Sequence, residues 1–101
     1  MIQSIRDYFS PQQRRIVGAE AQQLLDNKHF REALEAVDAY LAETAKQCDP
    51  DNKEKAQRVV ISMQLLEAIK REILRKVEDG EMARIEIHEL ERRKRPLRFE
   101  R

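Results

Sequence analysis

The chain has 101 residues, a length that fits one small domain, and its 20 Lys and Arg against 19 Asp and Glu leave a net charge of +1. With 39% of residues charged and 41% hydrophobic, the longest aliphatic run is Val59-Val60-Ile61. That run is far below the roughly 20 apolar residues a bilayer span requires, and no apolar signal core follows Met1, so a soluble, unsecreted protein without membrane contact is expected. The single cysteine, Cys48, cannot close an internal disulfide, so stability must come from packing or self-association. Two glycines, three phenylalanines, two tyrosines and no tryptophan argue against a large β-sandwich or a glycine-rich nucleotide site.

Gly and Pro punctuate the chain sparsely, at Pro11, Gly18, Pro50, Gly80 and Pro96, and long helices are expected between them. Ile2, Ile5 and Phe9 suit one or two helical turns or an extended arm. Ser10-Pro11-Gln12-Gln13 reads as a helix start, because Ser10 can accept from the Gln13 amide while Pro11 occupies the first turn, where its missing N–H is not needed. The first helix therefore starts at Pro11, with Ile16 and Leu24 on the helical period. Gly18 inside it costs about 1 kcal/mol relative to alanine, which is tolerable if another helix packs closely there.

Asn27 can cap a second helix in which Phe30, Leu34, Val37, Leu41 and Ala45 recur on one side. This helix should stop near Cys48, since Pro50 disfavours helical geometry at Asp49. Asp49 then reads as the cap of a third helix running from residue 50 to about 79, with Ala56, Val59, Val60, Met63, Leu66, Ile69 or Lys70, Ile73, Leu74 and Val77 on the period and Gly80 as a left-handed terminator. That helix would be roughly 45 Å long against about 30 Å for the second, so one short helix cannot cover its stripe. The first helix or a second copy of the chain must cover the remainder. Residues 81–91 suit either a helix or a short strand, and helix is favoured because no other strand candidate exists to pair with it. Arg92, Arg93, Lys94, Arg95, Arg98 and Arg101 then form a basic tail, net +4, on a body of residues 1–90 that is net −3.

Catalysis needs a nucleophile, a base and an orienting group, or a metal cage. Cys48, His29 and His88 are isolated in sequence. His88-Glu89-Leu90-Glu91-Arg92 opens like a zinc-protease helix but has Arg92 where the second histidine should stand. Asp49-Pro50-Asp51-Asn52 gathers carboxylates yet lacks the glycine and bidentate glutamate of a calcium loop. No catalytic residue, metal site or cofactor is therefore expected, and the carboxylates read as a helix cap. The basic tail could neutralise phosphates without reading sequence, or dock on an acidic protein, or simply aid solubility as a flexible terminus.

The stretch Gly18-Ala19-Glu20-Ala21 through Leu24-Leu25-Asp26-Asn27, then Phe30-Arg31-Glu32-Ala33-Leu34, Asp49-Pro50-Asp51 and Val77-Glu78-Asp79-Gly80-Glu81, resembles the short helical proteins encoded by tailed phages and prophages, often among head and DNA-packaging genes. The likeness covers about residues 18–83 and rests on caps and core positions. It implies a phage-derived structural or assembly factor working in the host cytoplasm or the virion.

The expected architecture is all-α, an antiparallel hairpin of the second and third helices with the first packed across it, as one domain over residues 1–90 and a flexible basic tail over 91–101. The expected role is non-enzymatic: an assembly or adaptor protein that forms homo-oligomers through Val59, Val60, Met63, Leu66, Ile73 and Leu74 and engages phage head or packaging proteins. Two rivals are a DNA-binding packaging or regulatory factor resembling a small terminase subunit, and a phage inhibitor of a host protein. The DNA reading makes a sharp prediction: binding to duplex DNA should fall steeply between about 50 and 200 mM salt and vanish when residues 92–101 are removed. An anisotropy titration of the full and shortened chains measures both effects.

Overall fold

A computed structural model of the protein describes residues 9–94, which form three helices: α1 (Pro11–Asp26), α2 (Lys28–Gln47) and α3 (Lys53–Lys94). No strand occurs among the described residues, and the fold is all-α. The possible arm around Ile2 and Ile5 lies outside them.

Local hydrogen bonds explain most helix boundaries. The Gln13 amide donates to Ser10 Oγ at 3.2 Å and the Ser10 amide donates to Gln13 Oε1 at 2.9 Å, a reciprocal capping box with Pro11 at the first helical position. A single residue, Asn27, separates α1 from α2. Its extended backbone (φ −71°, ψ 122°) breaks the helix, and its side-chain oxygen accepts from the Phe30 amide at 2.9 Å to start the next one. At the far end of α2 the Cys48 amide donates to the Ala45 carbonyl, and the backbone turns extended there.

Two boundaries of α3 differ from those expected. Asp49 does not cap it. The Asp49 side chain accepts from the Asp51 amide at 2.9 Å and its carbonyl from the Asn52 amide, closing a turn with Asp at the first position and Pro at the second. The helix begins one turn later, where Asn52 Oδ1 accepts from the Lys55 amide at 3.2 Å and Glu54 lies in the first turn, near the positive end of the helix dipole. Gly80 does not end α3 either. It is helical, no glycine among the described residues has positive φ, and α3 continues as helix through residues 81–91 to Lys94, 42 residues or roughly 63 Å.

The reason for glycine at position 80 is tertiary. The chain divides into two compact units, one joining residues 1–22 to 75–101 and the other spanning residues 23–74. In the first, α1 crosses α3 at a pair of glycines: a Cβ on Gly18 would stand 2.6 Å from the Gly80 Cα and 2.9 Å from the Lys76 carbonyl oxygen, and one on Gly80 would stand 2.7 Å from the Gly18 Cα. Both approaches are closer than any side-chain carbon tolerates. Ala21 and Ala83 continue this small-residue surface, and Ala83 is completely buried. The two helices run antiparallel here, since Arg14 reaches forward to Glu86 while Gly18, one turn later, meets Gly80 and Lys76.

The second unit is the α2–α3 hairpin, turned by residues 48–52. Leu34 and Leu41 of α2 are half-buried, while Val59 and Leu66 of α3 are buried. One long-range bond ties the pair, from Lys70 Nζ to Asp38 Oδ2 at 2.9 Å. That bond holds the Lys70 ammonium above its usual range, the favourable hydrogen bond outweighing the cost of partial desolvation.

The glycine crossing reverses the usual sign of a helix substitution. Gly→Ala in a helix interior ordinarily stabilises by about 1 kcal/mol, but here the added methyl must force the helices apart, at a cost of about 1–3 kcal/mol. Gly18→Ala and Gly80→Ala should each lower the thermal midpoint of the protein, and circular dichroism melts would show it. A raised midpoint for either would mean that the helices do not meet there.

Candidate interaction surfaces

The most buried charged group is Arg14, with only 6% of its surface accessible. From α1 its guanidinium forks onto α3: Nε donates to Asp79 Oδ2 at 3.0 Å and Nη2 to Asp79 Oδ1 at 2.9 Å, while Nη1 and Nη2 donate to Glu86 Oε1 and Oε2 at 2.9 and 3.2 Å. Asp79 and Glu86 are seven residues apart, so two turns of helix bring both carboxylates to one side of α3. The hydrogen bonds to Asp79 and then Glu86 raise the Arg14 pKa further above its already high ordinary value, overcoming burial. The guanidinium is therefore a permanent cation with its fork occupied. Chemically this is a structural clamp that fixes the α1–α3 register beside the glycine crossing. Sequence reading passed over Arg14, because nothing local distinguishes it from Arg15, which is exposed.

The remaining polar candidates do not converge. His29 and His88 are exposed, Cys48 is half-buried with its thiol 3.8 Å from the Asp49 carbonyl oxygen, and among the described residues no group of three His, Cys, Asp or Glu is placed to hold a metal ion. Every buried side-chain nitrogen and oxygen among the described residues has a hydrogen-bond partner. Among these residues no helix is long and apolar enough to cross a membrane.

Apolar surface is what the structure offers. Among the described residues no large side chain is fully buried, and fourteen large hydrophobic residues are exposed, from Phe9 at 39% to Tyr40 at 69%. The six residues expected to form an association seam differ in exposure. Val59 and Leu66 are buried on the side of α3 that meets α2, Ile73 is half-buried, and Val60, Met63 and Leu74 are exposed. Half of the seam is therefore core of the hairpin, because a helix that packs on one neighbour uses about a third of its circumference to do so. Leu66→Glu would consequently unfold the hairpin rather than report on association.

A second apolar line on α3 was only partly read from the sequence, which placed Ile69 or Lys70 on the main stripe and left Ile61 and Leu65 off it. Ile61, Leu65 and Ile69 stand at i, i+4 and i+8, exposed at 52%, 60% and 53%. Their spacing was the available signal. It was obscured by the stronger neighbouring stripe, which satisfied the helical period alone.

The basic stretch begins within α3. Arg92, Arg93 and Lys94 occupy the last turn of α3, exposed, where cations complement the negative end of the helix dipole, and Arg92 Nη2 donates to Glu89 Oε1 at 2.9 Å. Arg95, Arg98 and Arg101 lie outside the described residues. Compared with known proteins, the chain matches no family model, no curated protein and no solved structure.

The Arg14 fork also predicts a substitution that charge alone would not. Arg14→Lys keeps the positive charge but loses the planar, doubly bidentate geometry. Its expected cost is about 1–2 kcal/mol, most of it from the shielded Asp79 arm, because Glu86 is 38% exposed and water screens that pair. Urea unfolding of the two proteins measures it, and equal midpoints would reduce the fork to an ordinary surface ion pair.

Proposed function

We propose that the chain is a non-enzymatic assembly or adaptor protein that works as a homo-oligomer and presents its helices to a larger structure. The observation that carries this reading is the shortage of burial: among the described residues the buried hydrophobic ones are Ala21, Val59, Leu66 and Ala83, whereas fourteen large hydrophobic residues stand exposed. A soluble chain of this size with so thin a core gains stability by covering those side chains with another copy or a partner. Cys48, the only cysteine of the sequence, cannot close an internal disulfide, so that support of small domains is not drawn on within the chain. The resemblance to short helical proteins of tailed phages supplies the context, a head or packaging component in the host cytoplasm or the virion. A DNA-gripping factor and an inhibitor of a host protein are the rival roles. The cations of the last α3 turn favour DNA binding less than their number suggests, because the helix end and Glu89 already account for them locally.

The test is mass in solution. Light scattering on the full chain should give at least twice the 12.0 kDa chain mass, with a thermal midpoint that rises with protein concentration. A monomer that unfolds cooperatively at a concentration-independent temperature would refute self-association. Adding duplex DNA to the same measurement separates the adaptor from the DNA-binding role.

A further inference from the structure

We infer that one broad face of the α2–α3 hairpin, built from Val37 and Tyr40 of α2 and Ile61, Leu65 and Ile69 of α3, is the surface on which a second copy of the chain packs, producing a four-helix bundle from two hairpins. The inference deepens the self-association reading and rests on it.

The face follows from helical phase. The line of contact within the hairpin runs through Leu34 and Leu41 on α2 and through Val59, Leu66, Lys70 and Ile73 on α3. Tyr40 precedes Leu41, Leu65 precedes Leu66 and Ile69 precedes Lys70, each by one residue, which is a rotation of about 100° about its helix. The two helices are antiparallel and of the same hand, so equal rotations in the same sense emerge on the same side of the pair. Val37 lies between Tyr40 and the contact line, and Ile61 extends the α3 row by one turn. All five side chains are between 45% and 69% exposed.

Val60 and Leu74 instead follow Val59 and Ile73 by one residue and emerge on the opposite side. That side also carries the Asp38–Lys70 bridge, with Glu67 3.8 Å from Lys70. The two faces therefore differ in kind. Between Ile61 and Ile69 the phase of that row holds no Asp, Glu, Lys or Arg; Arg58 and Glu72 share the phase one turn beyond each end of it, and by the register of the Lys70–Asp38 bond Glu72 stands about level with Val37.

Area and charge together select the occupant. The five side chains expose on the order of 600 Å², at the upper limit for one patch on a monomeric protein. With the small residues Ala33 and Ser62 beside them, the face approaches the roughly 800 Å² that each partner gives to a standard interface. With its charges confined to one cation and one anion at opposite ends of the α3 row, the face gives phosphate no cluster of cations to bind and an acidic or basic segment no run of opposite charge to pair with. A two-helix layer is, however, complementary to another two-helix layer, and face-to-face stacking of two hairpins encloses side chains that one hairpin cannot. A copy of the same face is apolar in the same place, so a two-fold arrangement is self-consistent.

The experiment compares two alanine pairs in the full chain by sedimentation velocity and circular dichroism over a wide concentration range. Leu65→Ala with Ile69→Ala should raise the dissociation constant at least tenfold, while Val60→Ala with Leu74→Ala on the opposite face should leave it within about twofold. Alanine strengthens the helix, so the first pair should also regain its helicity as concentration rises. A dissociation constant unmoved by the first pair, or raised only by the second, overturns this face and leaves self-association standing. Helicity lost equally at every concentration also overturns it, since these side chains would then be supporting the lone chain. A wild-type protein that stays monomeric throughout removes both readings and leaves the face to a different partner.

Discussion

The constraint that governs this protein is geometric: two helices packed side by side share one line of contact, and a line cannot enclose a large side chain. In the hairpin of α2 and α3 the contact line buries Val59 and Leu66 only to 8% and 9% exposure, and their neighbours one residue away around the helix emerge into solvent. A helical layer becomes a core only when a second layer closes over it. Charged residues interleave with the aliphatic ones along both helices, but they cannot supply that second layer.

Where α1 meets α3, the chain solves a different packing problem with different residues. Gly18, Ala21, Gly80 and Ala83 remove side chains from the crossing so that backbones approach directly, and contact there comes from close dispersion rather than from burial of large groups. Such a surface is smooth and could slide. Arg14 prevents that, because its planar fork fits Asp79 and Glu86 at one register only. The small residues permit the approach and the ion cluster selects its position. An ion pair adds little stability once its desolvation is counted, and specifying register is the better-supported role for a buried one.

The same physics shapes the functional argument. Among the described residues no His, Cys, Asp or Glu cluster gathers to hold a metal ion, while the exposed apolar surface is extensive and organised by helical phase. The two faces of the hairpin are unequal in charge, so a partner that covers one is not suited to the other. Self-association on the Val37–Ile69 face would leave the opposite face of the hairpin outside the dimer contact.

Sequence alone determined the all-α class, the start of α1 at Pro11, the break at Asn27 and the end of α2 near Cys48, because each depends on bonds within four residues of the chain. It also showed a stripe on α3 too long for α2 to cover. The meaning of Gly80 was decided elsewhere: a glycine that ends a helix and one that lets another backbone approach look alike locally, and only Gly18, 62 residues away, distinguishes them. The start of α3 was decided by competition, since Asp49 and Asn52 are both good caps and the turn closed by Asp49 left the helix to Asn52. The burial of Arg14 was likewise invisible, and so was the line that Ile61 and Leu65 form with Ile69. Burial of a charge, and exposure of an apolar line, are properties of which helix faces which, and helical period specifies a face without specifying its neighbour.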